Sequence, residues 1–174
     1  MKTIKFLAVL IIFFLVNTSF IKQVIDKDDY YIVVSKSNYT LTIYDKENNF
    51  VVEYPAVFGN SDKGDKMVEG DRKTPEGTFH IISKRPHPKW DKFLALDYPT
   101  ADSYRKFNER KAQGLIPANA RIGGSVGIHG TWPKEEFAVD AHQNWTLGCV
   151  STKNDFIREI YNQLPVGTRV EIVK

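Results

Sequence analysis

Cysteine occurs once in the 174 residues, at Cys149. A single thiol excludes an intrachain disulfide framework, so the chain must hold together by its own core. Excess charge of one sign is also missing. Of 24 Lys and Arg, Lys2 and Lys5 fall in the first nineteen residues, leaving the rest almost balanced against 21 acids. Such a body does not offer the basic face that phosphate-backbone binding requires, which argues against nucleic acid as a partner. The 11 Gly and 8 Pro follow no period, and no repeat or low-complexity tract is present, which excludes collagen-like and wholly disordered classes. What is there is ordinary globular material, 42% hydrophobic and 26% charged, enough for one domain.

The longest apolar run is Phe6 to Val16, after a basic head ending at Lys5 and before the small polar triplet Asn17-Thr18-Ser19. As a helix those residues would rise only about 16 Å, short of a ~30 Å hydrocarbon core. The charge order and length predict a secretory signal over residues 1–19, with a retained short membrane anchor or a buried amino-terminal helix as the alternatives. Because no cysteine follows the run, a lipoprotein anchor is excluded. The expected location is the periplasm or cell envelope, with a possible membrane tether through this segment.

Beyond it the chain is predicted to be mainly β. Tyr30 to Ser35 and Tyr39 to Tyr44 flank the turn Lys36-Ser37-Asn38 and read as a hairpin, and Phe50 to Phe58, Gly77 to Ser83 and Phe93 to Asp97 continue in the same style. Gly59 to Gly70 reads as a polar surface loop, and Lys84 to Trp90, with two prolines, as another. Two short helices are expected. One covers Thr100 to Gln113; the other carries Phe156, Ile157, Ile160, Tyr161 and Leu164 on one face, capped by Thr152 or Asn154 and stopped by Pro165. Thr168 to Val173 reads as a closing strand.

Cys149 can be an inert core thiol, half of an intermolecular bridge, or a nucleophile. The last needs a base or a positive field to generate thiolate. His129 is the best partner, since it ends the small-residue stretch Gly123 to Ile128 and precedes Gly130, which leaves its ring uncrowded. Gly148 before the cysteine permits close backbone approach to a ligand and free amide N–H groups.

Ile128-His129-Gly130, followed after fifteen residues by Thr146-Leu147-Gly148-Cys149-Val150, resembles the active-site motif of the L,D-transpeptidases, bacterial enzymes that act on peptidoglycan stem peptides. Gly70-Asp71-Arg72-Lys73-Thr74-Pro75-Glu76-Gly77 resembles the family's segment before a strand leading to the catalytic cleft. The likeness spans residues 30–174. It implies a β-sandwich-like assembly of mixed sheets, with Cys149 as nucleophile and His129 as base. It also implies a carbonyl of Gly130 or Thr131 orienting the imidazole, and the N–H groups of Cys149 and Gly148 as oxyanion donors. Peptidoglycan stem peptides would be the partner, and the thioester chemistry calls for no cofactor. The acyl group would pass to an amine in cell-wall cross-linking or remodelling. If water is the acceptor, the same chemistry gives a carboxypeptidase or endopeptidase; without turnover the chain would be a wall-binding module. Leu147 and Ser151 stand where many members carry a His and an Arg or Asn. Arg121, Lys84 or Arg85 could restore the missing charge, and Arg121, Trp132, Thr146 and Ser151 are the expected substrate contacts.

Other residues admit plainer readings. His129, Glu136 and His142 form a thin metal set, since they are spread across a loop containing Pro133. His80 reads as a structural strand residue, and His87 as either substrate-facing or part of a solvated basic turn. Trp132 and Trp145 either wall a cleft or simply pack. The acidic loop Asp62 to Asp71 does not have the ligand spacing of a calcium site.

Overall fold

The computed structural model describes residues 26–60 and 62–174, so the expectation for residues 1–19 lies outside the described residues. Alternation of β-branched and aromatic residues sets the first layer. Strands β1 (Tyr30–Ser35) and β2 (Thr40–Asp45) pair antiparallel around the expected turn, and β3 (Phe50–Pro55) adds to β2. The last strand, β8 (Arg169–Val173), enters parallel to β1, and β4 (Gly77–His87) lies antiparallel beside it. Strand β5 (Asp91–Leu96) pairs with β4, β6 (Gly127–His129) with β5, and β7 (Val150–Ser151) runs parallel to β6. The result is one mixed eight-stranded sheet in the order β3-β2-β1-β8-β4-β5-β6-β7.

Strand β4 joins the two halves of this sheet. Its first residues, Gly77 to His80, bond to β8, and a register shift between Ile81 and Ser83 turns the remainder onto β5. It also corrects the expected loop over Lys84 to Trp90. The strand runs on through Pro86 to His87, because past the shift β4 pairs with β5 alone, and a proline can sit at a strand edge without a lost ladder bond.

Both expected helices form, as α1 (Ala101–Ala112) and α3 (Asn154–Gln163), and a four-residue α2 (Phe137–Asp140) adds a third. Thr100 caps α1 by accepting the Ser103 N–H. Neither residue expected to cap α3 does so. Thr152 donates its hydroxyl to the Pro55 carbonyl, the Asn154 side chain accepts the Thr131 N–H, and it is Glu136 that accepts the first amide of the helix. Helix α3 buries Ile157 and Ile160 across β5 and β6. These join Ile32, Leu41, Phe79, Leu94, Ile128, Val150 and Val170 in a single core. Burial of each such side chain contributes roughly 1.5–3 kcal/mol, which fixes β6 and β7, the two strands that carry the histidine and follow the cysteine. Among the described residues, no helix is long and apolar enough to cross a membrane.

Candidate active site

His129 is the last residue of β6 and is 1% exposed. Its Nδ1 lies 2.7 Å from the Gly130 carbonyl oxygen, which can only accept, so Nδ1 carries the proton and Nε2 keeps its lone pair. The orienting carbonyl is therefore that of Gly130. Thr131 donates its N–H to the Asn154 side chain. Gly130 is required at this point, since a Cβ there would meet Asn154 Oδ1 at 2.2 Å and the Trp90 carbonyl at 2.8 Å.

Aromatic rings enclose the imidazole. Trp90 stacks on it at 4.3 Å between centroids, Phe93 follows at 6.0 Å, and Trp145 meets it edge-on at 5.5 Å. His87 continues the column by stacking on the other neighbour, Trp90, at 4.3 Å. In these surroundings an imidazolium loses its hydration, and burial pushes the His129 pKa down to about 4 against the opposing pull of the Gly130 carbonyl. His129 is thus neutral and able to accept a proton over the whole physiological range.

Cys149 sits in a tight turn immediately before β7. Thr146 holds that turn, donating its hydroxyl to the Cys149 carbonyl at 2.7 Å and accepting the Gly148 N–H at 3.1 Å. Thr74, from the upstream motif, backs the same carbonyl at 3.4 Å and accepts the Gly59 N–H. One expectation changes as a result. The Gly148 N–H is used inside the turn and does not face an oxyanion; what Gly148 supplies is backbone at φ +134°, with the Lys73 carbonyl 2.9 Å from where a Cβ would stand. Thr146 is buried, its hydroxyl holds the cysteine turn, and it also lines the groove. The thiol lies 3.7 Å from the Ser125 carbonyl, and burial pushes its pKa up to about 11, against a backbone hydrogen bond from Gly127. At rest the pair is a thiol and a neutral imidazole.

Both residues line one groove of about 590 Å³, with Trp90, Phe93, Trp132 and Trp145 as its aromatic walls. Leu147 stands on the rim, 73% exposed. Arg85 also lines the groove, its guanidinium 5.0 Å above the Phe93 ring. The other two candidate cations are committed elsewhere. Lys84 donates to the carbonyls of Tyr161 and Leu164 at the end of α3, and exposed Arg121 pairs with Glu69 away from the groove. Ser151 is also corrected as a substrate contact: it is 0% exposed, and its hydroxyl donates to the Gly130 carbonyl, the same oxygen that orients His129. Trp132 remains on the groove wall as expected.

The metal alternative is not assembled. Glu136 caps α3, and His142 stacks on Tyr39 at 4.4 Å. Among the described residues no group of three or more His, Cys, Asp or Glu could hold an ion. Several residues of the site were not anticipated from the sequence: Trp90 and Phe93 around the histidine, Asn154 behind Gly130, and Lys36. Lys36, expected only as a turn residue, is 1% exposed and ties the motif loop down, with Nζ bonding to the Gly64 and Thr74 carbonyls and pairing with Glu76 at 2.8 Å.

A strand-ending, carbonyl-fixed histidine and a glycine-preceded cysteine thus line one aromatic groove on a mixed β-sheet. The family model of the L,D-transpeptidase catalytic domain (YkuD) matches residues 29–172, and the chain belongs to that family. The "Probable L,D-transpeptidase YcfS" of Escherichia coli (strain K12) is 26% identical over 159 residues, which cover 82% of this chain and 43% of the relative. The chain therefore spans less than half the length of that relative. Among solved structures, Bdellovibrio bacteriovorus Bd1075 superposes with a TM-score of 0.60 at 22% identity, over 84% of this chain and 48% of that one. The helical cell shape determining protein Pgp2 of Campylobacter jejuni gives 0.58 at 20% identity, over 84% and 47%. At these identities the two structures show a shared fold.

Proposed function

We propose that the chain is an exported peptidoglycan L,D-transpeptidase that works through a Cys149 thioester. The observation that carries this reading is the shared groove, in which a half-buried thiol and an imidazole with a fixed tautomer are the nucleophile and base on offer. As Sγ attacks the carbonyl carbon of an L-to-D peptide bond in a stem peptide, Nε2 of His129 takes the thiol proton. It then returns that proton to the departing amine, leaving the acyl group on sulfur. Resting neutrality of both groups suits this order, because the proton moves only when a substrate carbonyl is present. The Cys149 N–H, for which no acceptor is found among the described residues, serves in this reading as the oxyanion donor. An acceptor amine then attacks the thioester, its proton passing through His129 to the leaving thiolate. Arg85 is the cation for a donor carboxylate, and Trp132 a wall for the peptide.

Export rests on the basic head and short apolar run of residues 1–19, and the periplasm or cell envelope follows from it. Comparing the cellular fractions that hold the full chain and a version without residues 1–19 tests this, and equal retention inside the cell would overturn it. Incubation with purified disaccharide-tetrapeptide followed by mass spectrometry tests the reaction. A cross-linked dimer is expected; a trimmed tripeptide alone would mean that water is the acceptor, and unchanged substrate would mean a wall-binding module.

A further inference from the structure

The groove that holds Cys149 and His129 carries two other ionisable side chains, Lys66 and Arg85, and among the described residues no carboxylate lines it. The two cations are held very differently. Arg85 is exposed over the Phe93 ring, where water and salt screen it. Lys66 is 8% exposed, although its loop reads from sequence as polar surface. Arg110 of α1 pins its backbone by donating to the Lys66 carbonyl at 2.7 Å. The Lys66 Nζ donates to the Val68 carbonyl at 3.0 Å and to Asp71 Oδ1 at 2.7 Å. An ammonium has three N–H groups, and no third acceptor is found among the described residues. Asp71 also accepts the backbone N–H groups of Met67, Val68 and Lys73, and it does not line the groove.

The segment that carries Lys66 meets the cysteine from two sides. The Lys73 carbonyl stands 2.9 Å from where a Gly148 Cβ would be, and the Thr74 hydroxyl reaches the Cys149 carbonyl at 3.4 Å. On the other side the Glu69 N–H donates to the Arg121 carbonyl at 2.7 Å, and the Glu69 backbone stands 3.2 Å from where a Gly123 Cβ would be. Ser125, two residues on, places its carbonyl 3.7 Å from the thiol. We propose that Lys66 is the fixed charge partner of the Cys149 sulfur, the cation that stabilises the thiolate while it attacks. Burial pushes the thiol up to about 11, and the Gly127 hydrogen bond and the Lys66 charge pull it back. With His129 lowered to about 4 by burial, the resting proton stays on sulfur, so stabilisation is needed at the moment it leaves. In a groove walled by aromatic rings a fixed charge is screened little and acts most as negative charge develops. As the proton passes from Sγ to Nε2 of His129, the electron pair left on sulfur is held by the Gly127 N–H and Lys66 until the S–C bond forms. This role deepens the transpeptidase reading and rests on it only for what the sulfur attacks.

The test alkylates the full chain with iodoacetamide, a neutral reagent, and follows Cys149 by intact mass as the S–C bond forms and iodide leaves. Between about pH 7 and about pH 9.5 the rate follows the thiolate fraction. Lys66→Met keeps the length of the side chain and drops its charge, and is expected to slow alkylation at least about fivefold across that range, whereas Lys66→Arg should stay within about threefold of the wild type. A merely structural lysine predicts the reverse ranking, because a methionine fits a buried site more easily than a guanidinium. Equal rates in the wild type and Lys66→Met, or a Lys66→Arg protein as slow as Lys66→Met, would overturn the proposal. A second measurement holds even where the methionine variant does not fold. Iodoacetate, which carries a carboxylate, is compared with iodoacetamide on the folded wild type and on the chain unfolded in urea. The folded protein is expected to favour iodoacetate at least about threefold more than the unfolded chain does, and to keep this preference in Arg85→Ala. A folded ratio no higher than the unfolded one, or a preference abolished by Arg85→Ala, counts against Lys66. Neither reagent resembles peptidoglycan, so a failure here leaves the transpeptidase reading standing. An absent Cys149 acyl-enzyme with the disaccharide-tetrapeptide would instead sink that reading and leave the charge partner in place.

Discussion

The two sides of the Cys149 turn differ in how fully their polar groups are used. Behind the turn the hydrogen bonds interlock: Thr74 and Thr146 hold the Cys149 carbonyl, Thr146 takes the Gly148 N–H, and Ser151 and His129 share the Gly130 carbonyl. In front, Leu147 is exposed on the groove rim and Arg85 has only an aromatic ring beneath it. A saturated rear wall fixes the reacting atoms, and an unsaturated front wall leaves interactions to be completed by ligands. Substitutions behind the turn should therefore act on stability and rate, and substitutions in front on the choice of substrate.

Removing the reacting atom itself gives the largest effect. Cys149→Ala is expected to cut turnover at least about a thousandfold, since the chain offers no other thiol. Its thermal midpoint should stay within about 3 °C, because the thiol's hydrogen bond to the Ser125 carbonyl is long, at 3.7 Å. Activity and calorimetry on the same preparation check this, and an active variant would remove Cys149 from the mechanism.

Ser151 comes next and probes the rear wall. Ser151→Arg would bury an unpaired guanidinium at a fully buried position, costing at least about 4 kcal/mol, or on the order of 10 °C in a domain of this size. Ser151→Ala forfeits one hydrogen bond, about 1 kcal/mol, and loosens the carbonyl that orients His129. It should lower kcat more than it raises KM. A Ser151→Arg protein as stable as the wild type would show that this side chain reaches solvent.

Much of this was legible before any coordinates. Cys149 and His129 stand out because the chemistry needs those residue types with small neighbours, and the expected strands and the strong helical face of α3 form where hydrophobic periodicity is long enough to read. The roles around them were less legible, for two physical reasons. Which way a backbone N–H or a hydroxyl points is decided by tertiary partners, so the Gly148 N–H is spent inside the turn and the Ser151 hydroxyl on the Gly130 carbonyl, which the sequence does not reveal. Short or distant elements also leave no local signal. The two-residue β7 and four-residue α2 are too short to show a period, and Trp90 reaches His129 only because the β4–β5 hairpin is extended past Pro86.

The pH response of the enclosed histidine should be smaller in rate but distinct in sign. With His129 lowered from about 6.5 to about 4, the folded protein binds fewer protons than the unfolded chain between those values. Stability from this group is then present above pH ~6.5 and is lost as pH falls toward ~4, by about 3 kcal/mol in all. Acyl-enzyme formation should stay level down to about pH 5 and fall only near 4. Thermal midpoints against pH for the wild type and His129→Gln check the linkage, since the variant loses this share of the slope. An acid limb at the ordinary imidazole value would mean that water reaches the ring.

The smallest expected effect separates two arginines and tests the front wall directly. Arg85 lines the groove with its guanidinium over Phe93, whereas Arg121 is exposed and already paired with Glu69. Arg85→Ala is expected to raise KM about tenfold, equivalent to about 1.4 kcal/mol, for a donor with a free carboxylate, while leaving its amidated analogue nearly unaffected. Arg85→Lys should restore only part of the difference, because an ammonium cannot make the bidentate contact. Arg121→Ala should change neither donor, since this ion pair is exposed and screened by solvent and Arg121 is not among the residues lining the groove. Steady-state kinetics on the acid and amide pair distinguish the outcomes. Equal weakening of both donors by Arg85→Ala would mean that the side chain serves by covering Phe93 with its methylene stem, not by reading charge. Selectivity lost on Arg121→Ala instead would mean that the donor leaves the groove on the Glu69 side, and the contrast between the two walls would have to be redrawn from there.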